Sequence, residues 1–174
     1  YRSHIKKLPV DVWQIAAAYN VALCKDSDTS ILECDCHALC LCHSGTWNIV
    51  YDDMLPMPEI RYIIAVELGK ILLGYQERLA SGQDRIIVAN SSTAACGFAR
   101  ELLMPGVILW GMGLHEPERI KRYCDVPWSI AYQRLEEMIP RFEHEDFGDA
   151  IRERQVFSRF AKFMIKECKK MKEK

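Results

Sequence analysis

Two stretches of the chain hold residues whose types and spacing could do chemistry. The first is Val66-Glu67-Leu68-Gly69-Lys70. A zinc peptidase of the HExxH kind needs two histidines four residues apart, because one helical turn then aims both imidazoles at a single ion. It also needs a glutamate beside the first histidine to act as general base. Here the glutamate stands in its place, but the two ligand positions hold an alkyl group and an ammonium. Neither is an ordinary zinc ligand, and the charge of Lys70 would repel a dication by on the order of several kcal/mol in a partly dry site. The simpler expectation is that Glu67 pairs with Lys70, one turn away, or with Arg61. The second stretch is Cys34-x-Cys36-His37 followed by Cys40-x-Cys42-His43. As chemistry, these thiols and imidazoles could close a structural zinc site. As structure, Leu32, Cys34, Cys36, Ala38, Cys40 and Cys42 share one parity, which on extended strands puts small apolar side chains on one core-facing side. The CxC spacing is less usual for zinc than CxxC, so inward-pointing free thiols are the expectation for Cys34, Cys36, Cys40 and Cys42.

Hydrophobic periodicity suggests the elements that must position these residues. Residues 10–23 have helical spacing, with Pro9 just ahead. From 31 to 51 the pattern alternates, and Ser44-Gly45 marks a hairpin turn. Pro58 opens a helix whose apolar side chains (Ile60, Ile63, Ile64, Leu68, Ile71, Leu72) cover one broad face, and Gly74 stops it. After a polar connection with a short strand at 86–88, a further helix opens at Ser92 or Thr93 and ends before Pro105. Two short helices broken near Val126-Pro127 follow, then a long amphipathic helix over 149–174. The two central helices are expected to face each other over the sheet.

Flanking text sharpens the reading of the first stretch. The run RYIIAVELGKILLGY resembles the helix of the ImmA/IrrE metallopeptidase family, which has HELGH where this chain has Val66 to Lys70 and an ILLGH-like end. AACGFARELLMP is similar to the family's EAxxFAxxLLMP helix, whose glutamate supplies the third zinc ligand; that position is Ala94. GTWNIVYDD and YCDVPWSIAYQRLEEM are similar to its preceding strand and its later helical pair, so the resemblance spans roughly 10–138. It implies an α+β, zincin-like metallopeptidase fold: a small antiparallel or mixed sheet packed on helices, with additional C-terminal helices. It also implies that Val66, Lys70 and Ala94 are lost ligand positions, that no zinc or other cofactor is held there, and that Glu67 is vestigial. In the family the peptidase cleaves a helix-turn-helix repressor of a mobile element or damage response. The implied function is therefore a catalytically inactive relative that binds such a repressor, or a peptide, in a bacterial or phage setting. The rival reading is an active peptidase with a non-standard metal site that recruits His37, His43 or His115 toward Glu67.

Composition bounds the rest. The 174 residues are 49% hydrophobic and 27% charged, as in ordinary globular proteins, and suit a peptidase-like domain over 1–145 with a C-terminal helix over 146–174. A net charge of -1 gives no global field for nucleic acid, so no direct nucleic-acid partner is expected. Around 116–137 the basic residues Arg119, Lys121, Arg122 and Arg134 are offset by five acids, which favours packing over DNA reading by the helical pair. The tail is one-sided: 152–174 holds nine Lys/Arg against three Glu, or +6. Such a helix is expected to dock on its own domain or on a twin subunit, or to lie on an acidic partner or membrane surface. No apolar run approaches the length of a membrane span, and the basic first residues lack the apolar region and cleavage site of a secretion signal. A cytoplasmic location with reduced thiols is expected, with the native start upstream of Tyr1.

Overall fold

The first elements follow from where the chain can and cannot continue a helix. In the computed structural model, which describes residues 5–74, 85–87, 93–143 and 150–172, helix α1 (Val12–Ala18) opens on Asp11, whose carboxylate accepts the Gln14 amide at 3.0 Å. This satisfies one of the donors that every helix start leaves free. The chain turns at Asn20, whose φ of 55° is a left-handed conformation that asparagine tolerates. Strand β1 (Val21–Lys25) begins at once. The helix expected over 10–23 is thus a helix and then a strand, because Val21-Ala22-Leu23 suits either period and the turn at Asn20 decides.

After the single turn α2 (Asp26–Thr29), strands β2 (Ala38–His43) and β3 (Thr46–Tyr51) form the expected hairpin around Ser44 and Gly45. Both central residues have positive φ, 49° and 78°, the primed turn whose twist matches that of its strands. Strand β2 is shorter than its parity suggested. Residues 31–37 are not strand, and the Cys36 amide bonds back to the Glu33 carbonyl at 2.8 Å, closing a turn. Strand β1 lies parallel to β3, and β4 (Arg85–Ile87) lies antiparallel to β2, giving a mixed sheet in the order β1-β3-β2-β4. The last residue of the expected strand over 86–88 lies outside the described residues.

Helix α3 (Met57–Leu72) has Pro56 as its cap and Pro58 in its first turn, and the chain leaves it through Gly74 at φ 72°. Every residue from Ile64 to Ile71 is buried, so this part of the helix is enclosed on all sides. It packs on β2, β3 and α1, with Val12, Ile15, Ile49, Ile64 and Leu68 forming the core between them. Helix α4 (Thr93–Leu103) crosses α3 at Gly69. A Cβ there would stand 2.9 Å from Phe98 Cδ1 and 3.1 Å from the Ala95 carbonyl oxygen. The two central helices therefore meet, and the absence of a side chain at Gly69 sets how closely. Ser92, the alternative start of α4, lies outside the described residues.

Contacts gather into two compact units, one comprising Asp11–Ala99 and the other Arg100–Lys174 with His4–Val10. The second unit holds the end of α4 and α5 (Gly106–Gly111), α6 (Pro117–Cys124), α7 (Trp128–Glu143) and α8 (Ala150–Lys172). Its core includes Leu103, Met104, Ile108, Leu109, Ile120 and Met138. Arg134 is buried with them: its Nε donates to the Met104 carbonyl at 2.9 Å, and its guanidinium pairs with Glu101 and Glu137. That fork satisfies a carbonyl at the end of α4 and ties it to α7. The fold is α+β, with the sheet confined to the first unit, and no described helix is long and apolar enough to cross a membrane. The expected boundary at 145/146 lies outside the described residues.

Candidate functional site

The site begins with α3, because the spacing of Val66, Glu67 and Lys70 is realised on one regular helix. Lys70 Nζ donates to Glu67 Oε1 at 2.6 Å, and the two side chains are only 3% and 4% exposed. Of the two cations that the sequence offered as partners, Lys70 makes this ion pair. Taking both charges out of water costs several kcal/mol per ion, which their mutual attraction repays only when every polar atom is satisfied. Here Glu67 Oε2 has no hydrogen-bond partner, and no other buried side-chain oxygen or nitrogen among the described residues is left so. An acceptor left in this state is destabilising, and the nearby Cys40 thiol and amide offset part of that cost.

Cys40 sits mid-way along β2, opposite Ile49, on the sheet that α3 covers. Burial pushes the Glu67 carboxyl above the ordinary glutamate range, against Lys70 and the Cys40 thiol and amide, which all pull it down. The Cys40 thiol itself is pushed up to about 12, first by burial and then by the neighbouring Glu67 carboxylate. It is a protonated thiol at neutral pH, with neither the nucleophilicity nor the metal affinity of a thiolate. What lies between α3 and the sheet is therefore a closed polar cluster of carboxylate, ammonium and thiol.

The other expected ligand positions are distributed differently. Val66 is buried beside this cluster on α3, whereas Ala94, in the first turn of α4, is exposed. Alkyl, ammonium and methyl groups offer zinc no donor, and the one carboxylate nearby is already held by an ammonium, so these residues do not fit a zinc ion. The cysteines split in two. Cys40 and Cys42 are buried on β2, in line with the expected inward side, but Cys34 is exposed and Cys36 half-buried in the turn before the strand, its thiol donating to the Ala38 carbonyl at 3.3 Å. The parity argument fails for that pair because the chain is not extended there. No group of three or more His, Cys, Asp or Glu among the described residues could hold a metal ion. His37 is exposed, with Nδ1 3.1 Å from Asp52 Oδ2; His43 is exposed at the end of β2; His115 stacks on Trp110 with ring centroids 4.1 Å apart.

Sequence reasoning missed Asp53. Its carboxylate accepts the Ser27 amide at 3.0 Å and the Ser27 hydroxyl at 2.8 Å, pinning α2 to the loop that leads into α3, and the amide bond holds the carboxyl below its usual range. An Asp in a loop gives no sequence signal of a partner 26 residues away. No protein-family model, curated protein or solved structure matches the chain.

Proposed function

We propose that this chain is a catalytically inactive, zinc-free relative of the ImmA/IrrE metallopeptidases, with a zincin-like arrangement of α3 and α4 on its sheet. It serves as a binding or regulatory module for a helix-turn-helix repressor, or a peptide, of a mobile element. One observation carries the reading: in the frame where such a peptidase has its second histidine, Lys70 places an ammonium on the carboxylate that would be the general base, and both are sealed from solvent. A general base must reach a water or substrate to act, and Glu67 reaches neither while it is buried against Lys70. The sequence resemblance on both sides of Glu67, together with the close crossing of the two helices at Gly69, supports the kinship. The metal-dependent rival would need its histidines to leave their present places: His37 is on Asp52, His115 is stacked on Trp110, and His43 is exposed at the end of β2.

The test combines metal analysis of protein purified without chelator with incubation against a panel of helix-turn-helix repressors. The expected result is capture of a repressor without cleavage and no stoichiometric zinc. Cleavage that a chelator abolishes would overturn the proposal in favour of an active enzyme.

A further inference from the structure

Helix α8 has an exposed surface whose charge is unlike that of an ordinary solvated helix. Its inner side docks on α5: Phe160 and Met164 are buried, Met164 Cε lies 2.8 Å from where a Cβ on Gly111 would stand, and Phe157 Cε2 lies 3.2 Å from it, so Phe157 rests one edge on α5. On the outer side, Arg154, Arg159, Lys162, Lys166 and Lys169 are all exposed. At 100° per residue they fall within an arc of about 140°. Ordinary solvated helix faces mix both signs of charge, and this one does not. The described acids of α8, Glu153 and Glu167, are only 14% and 15% exposed and are paired with Arg141 and Lys170. Along one edge of the arc runs an apolar strip at helical spacing, Phe157, Ala161, Ile165 and Cys168, in which Phe157 is 44% and Ile165 59% exposed. Ile165 stands among Lys162, Lys166 and Lys169.

We propose that this face of α8 is a peripheral docking surface for an anionic lipid leaflet. A row of cations alone would suit any polyanion, but an exposed isoleucine in its midst, with the half-exposed Phe157 at its edge, gains nothing from a phosphate backbone in water. An acidic bilayer surface takes both, with cations at the headgroups and apolar side chains at the acyl boundary. The charge distribution gives the contact an orientation. With nine Lys/Arg and three Glu in 152–174, residues 1–151 are left with 14 Lys/Arg against 21 Asp/Glu, or -7. An anionic surface attracts the helix and repels the rest.

Cosedimentation of the full chain with phosphatidylcholine vesicles, with and without phosphatidylserine, tests this directly. Binding is expected only to the phosphatidylserine vesicles, and weakened by salt. Each cation near such a surface is worth about fivefold in affinity, so Lys162→Gln, Lys166→Gln and Lys169→Gln together should weaken binding by on the order of a hundredfold. Ile165→Ser should weaken it several-fold. All four side chains are exposed, so these variants keep the fold, which circular dichroism checks. Failure to bind phosphatidylserine vesicles, or binding that survives the triple change, overturns the proposal. So does a duplex DNA oligonucleotide binding at least as tightly at equal salt with Ile165→Ser without effect, which would reassign the face to nucleic acid.

Discussion

Lys70 reaches back one turn of α3 to Glu67, 2.6 Å away, and the pair is closed off from water with one carboxylate oxygen left unbonded. A buried pair of this kind is easily broken and cheaply replaced. Lys70→Met strands a buried carboxylate and should cost about 3–5 kcal/mol. Adding Glu67→Leu should return most or all of that loss, because an apolar pair also removes the orphaned oxygen. Urea titration of the single and double variants gives the coupling. A double variant no more stable than Lys70→Met would show that the pair is not the source of the loss.

Acidity should leave a signature of Glu67. Its carboxyl is raised above 4.5 in the folded chain, so between 4.5 and the folded value the native state holds a proton that the unfolded chain has released. Stability from this group is complete below 4.5 and is lost as pH rises through the folded value. The wild-type unfolding free energy should therefore fall relative to that of Glu67→Gln as pH is raised above 4.5. A difference that rises or stays flat over that range contradicts the burial argument.

Thiol reactivity should rank the cysteines by their surroundings. Cys34 is exposed and should react with an aromatic disulfide reagent within the first phase, whereas Cys40, Cys42 and Cys124 should react only as the chain unfolds. Mass mapping of partly labelled protein distinguishes them. Early modification of Cys40, whose thiol is pushed up to about 12, would mean that the cluster beneath α3 is open to solvent.

Gly69→Ala probes the crossing of α3 and α4. A new methyl would press on Phe98 Cδ1 at 2.9 Å and on Ala95 backbone at 3.1 and 3.3 Å. Overpacking of this kind costs about 1–3 kcal/mol, set against roughly 1 kcal/mol that alanine gains over glycine in a helix. The variant should melt lower than wild type. A higher melting temperature would place the helices further apart.

Restoring the lost ligands tests the kinship proposed above. Val66→His, Lys70→His and Ala94→Glu together supply two imidazoles on one helix turn and a carboxylate from the neighbouring helix. Calorimetric titration with zinc, after the thiols are blocked, should detect binding by the triple variant and none by the parent. Activity is expected to lag, since groups that orient the imidazoles are not rebuilt with them. Equal, negligible binding by both proteins would remove the support that Ala94 lends to the assignment.

Much of this was legible before any coordinates. Pro58 and Gly74 bracket α3, Ser44-Gly45 marks the hairpin, and the break near Val126-Pro127 falls between α6 and α7. These are local signals, each resting on the backbone preference of one or two residues. What escaped was set by partners distant in sequence. Strand β1 exists because β3, more than twenty residues on, offers it a parallel edge. Cys34 and Cys36 share the parity of Cys40 but not its strand, since a turn closed by Glu33 intervenes. The Glu67–Lys70 contact could be read from helical spacing, whereas its burial against Cys40 of the sheet could not.

The parallel pairing of β1 with β3 also implies an order of events during folding. The two-residue turn at Ser44-Gly45 lets β2 and β3 zip together on the microsecond scale of hairpin formation, using contacts close in sequence. Strand β1 has no edge to join until β3 is in place, and the loop it must close is longer. The hairpin is thus the template, and the N-terminal strand, although made first during synthesis, is a late arrival.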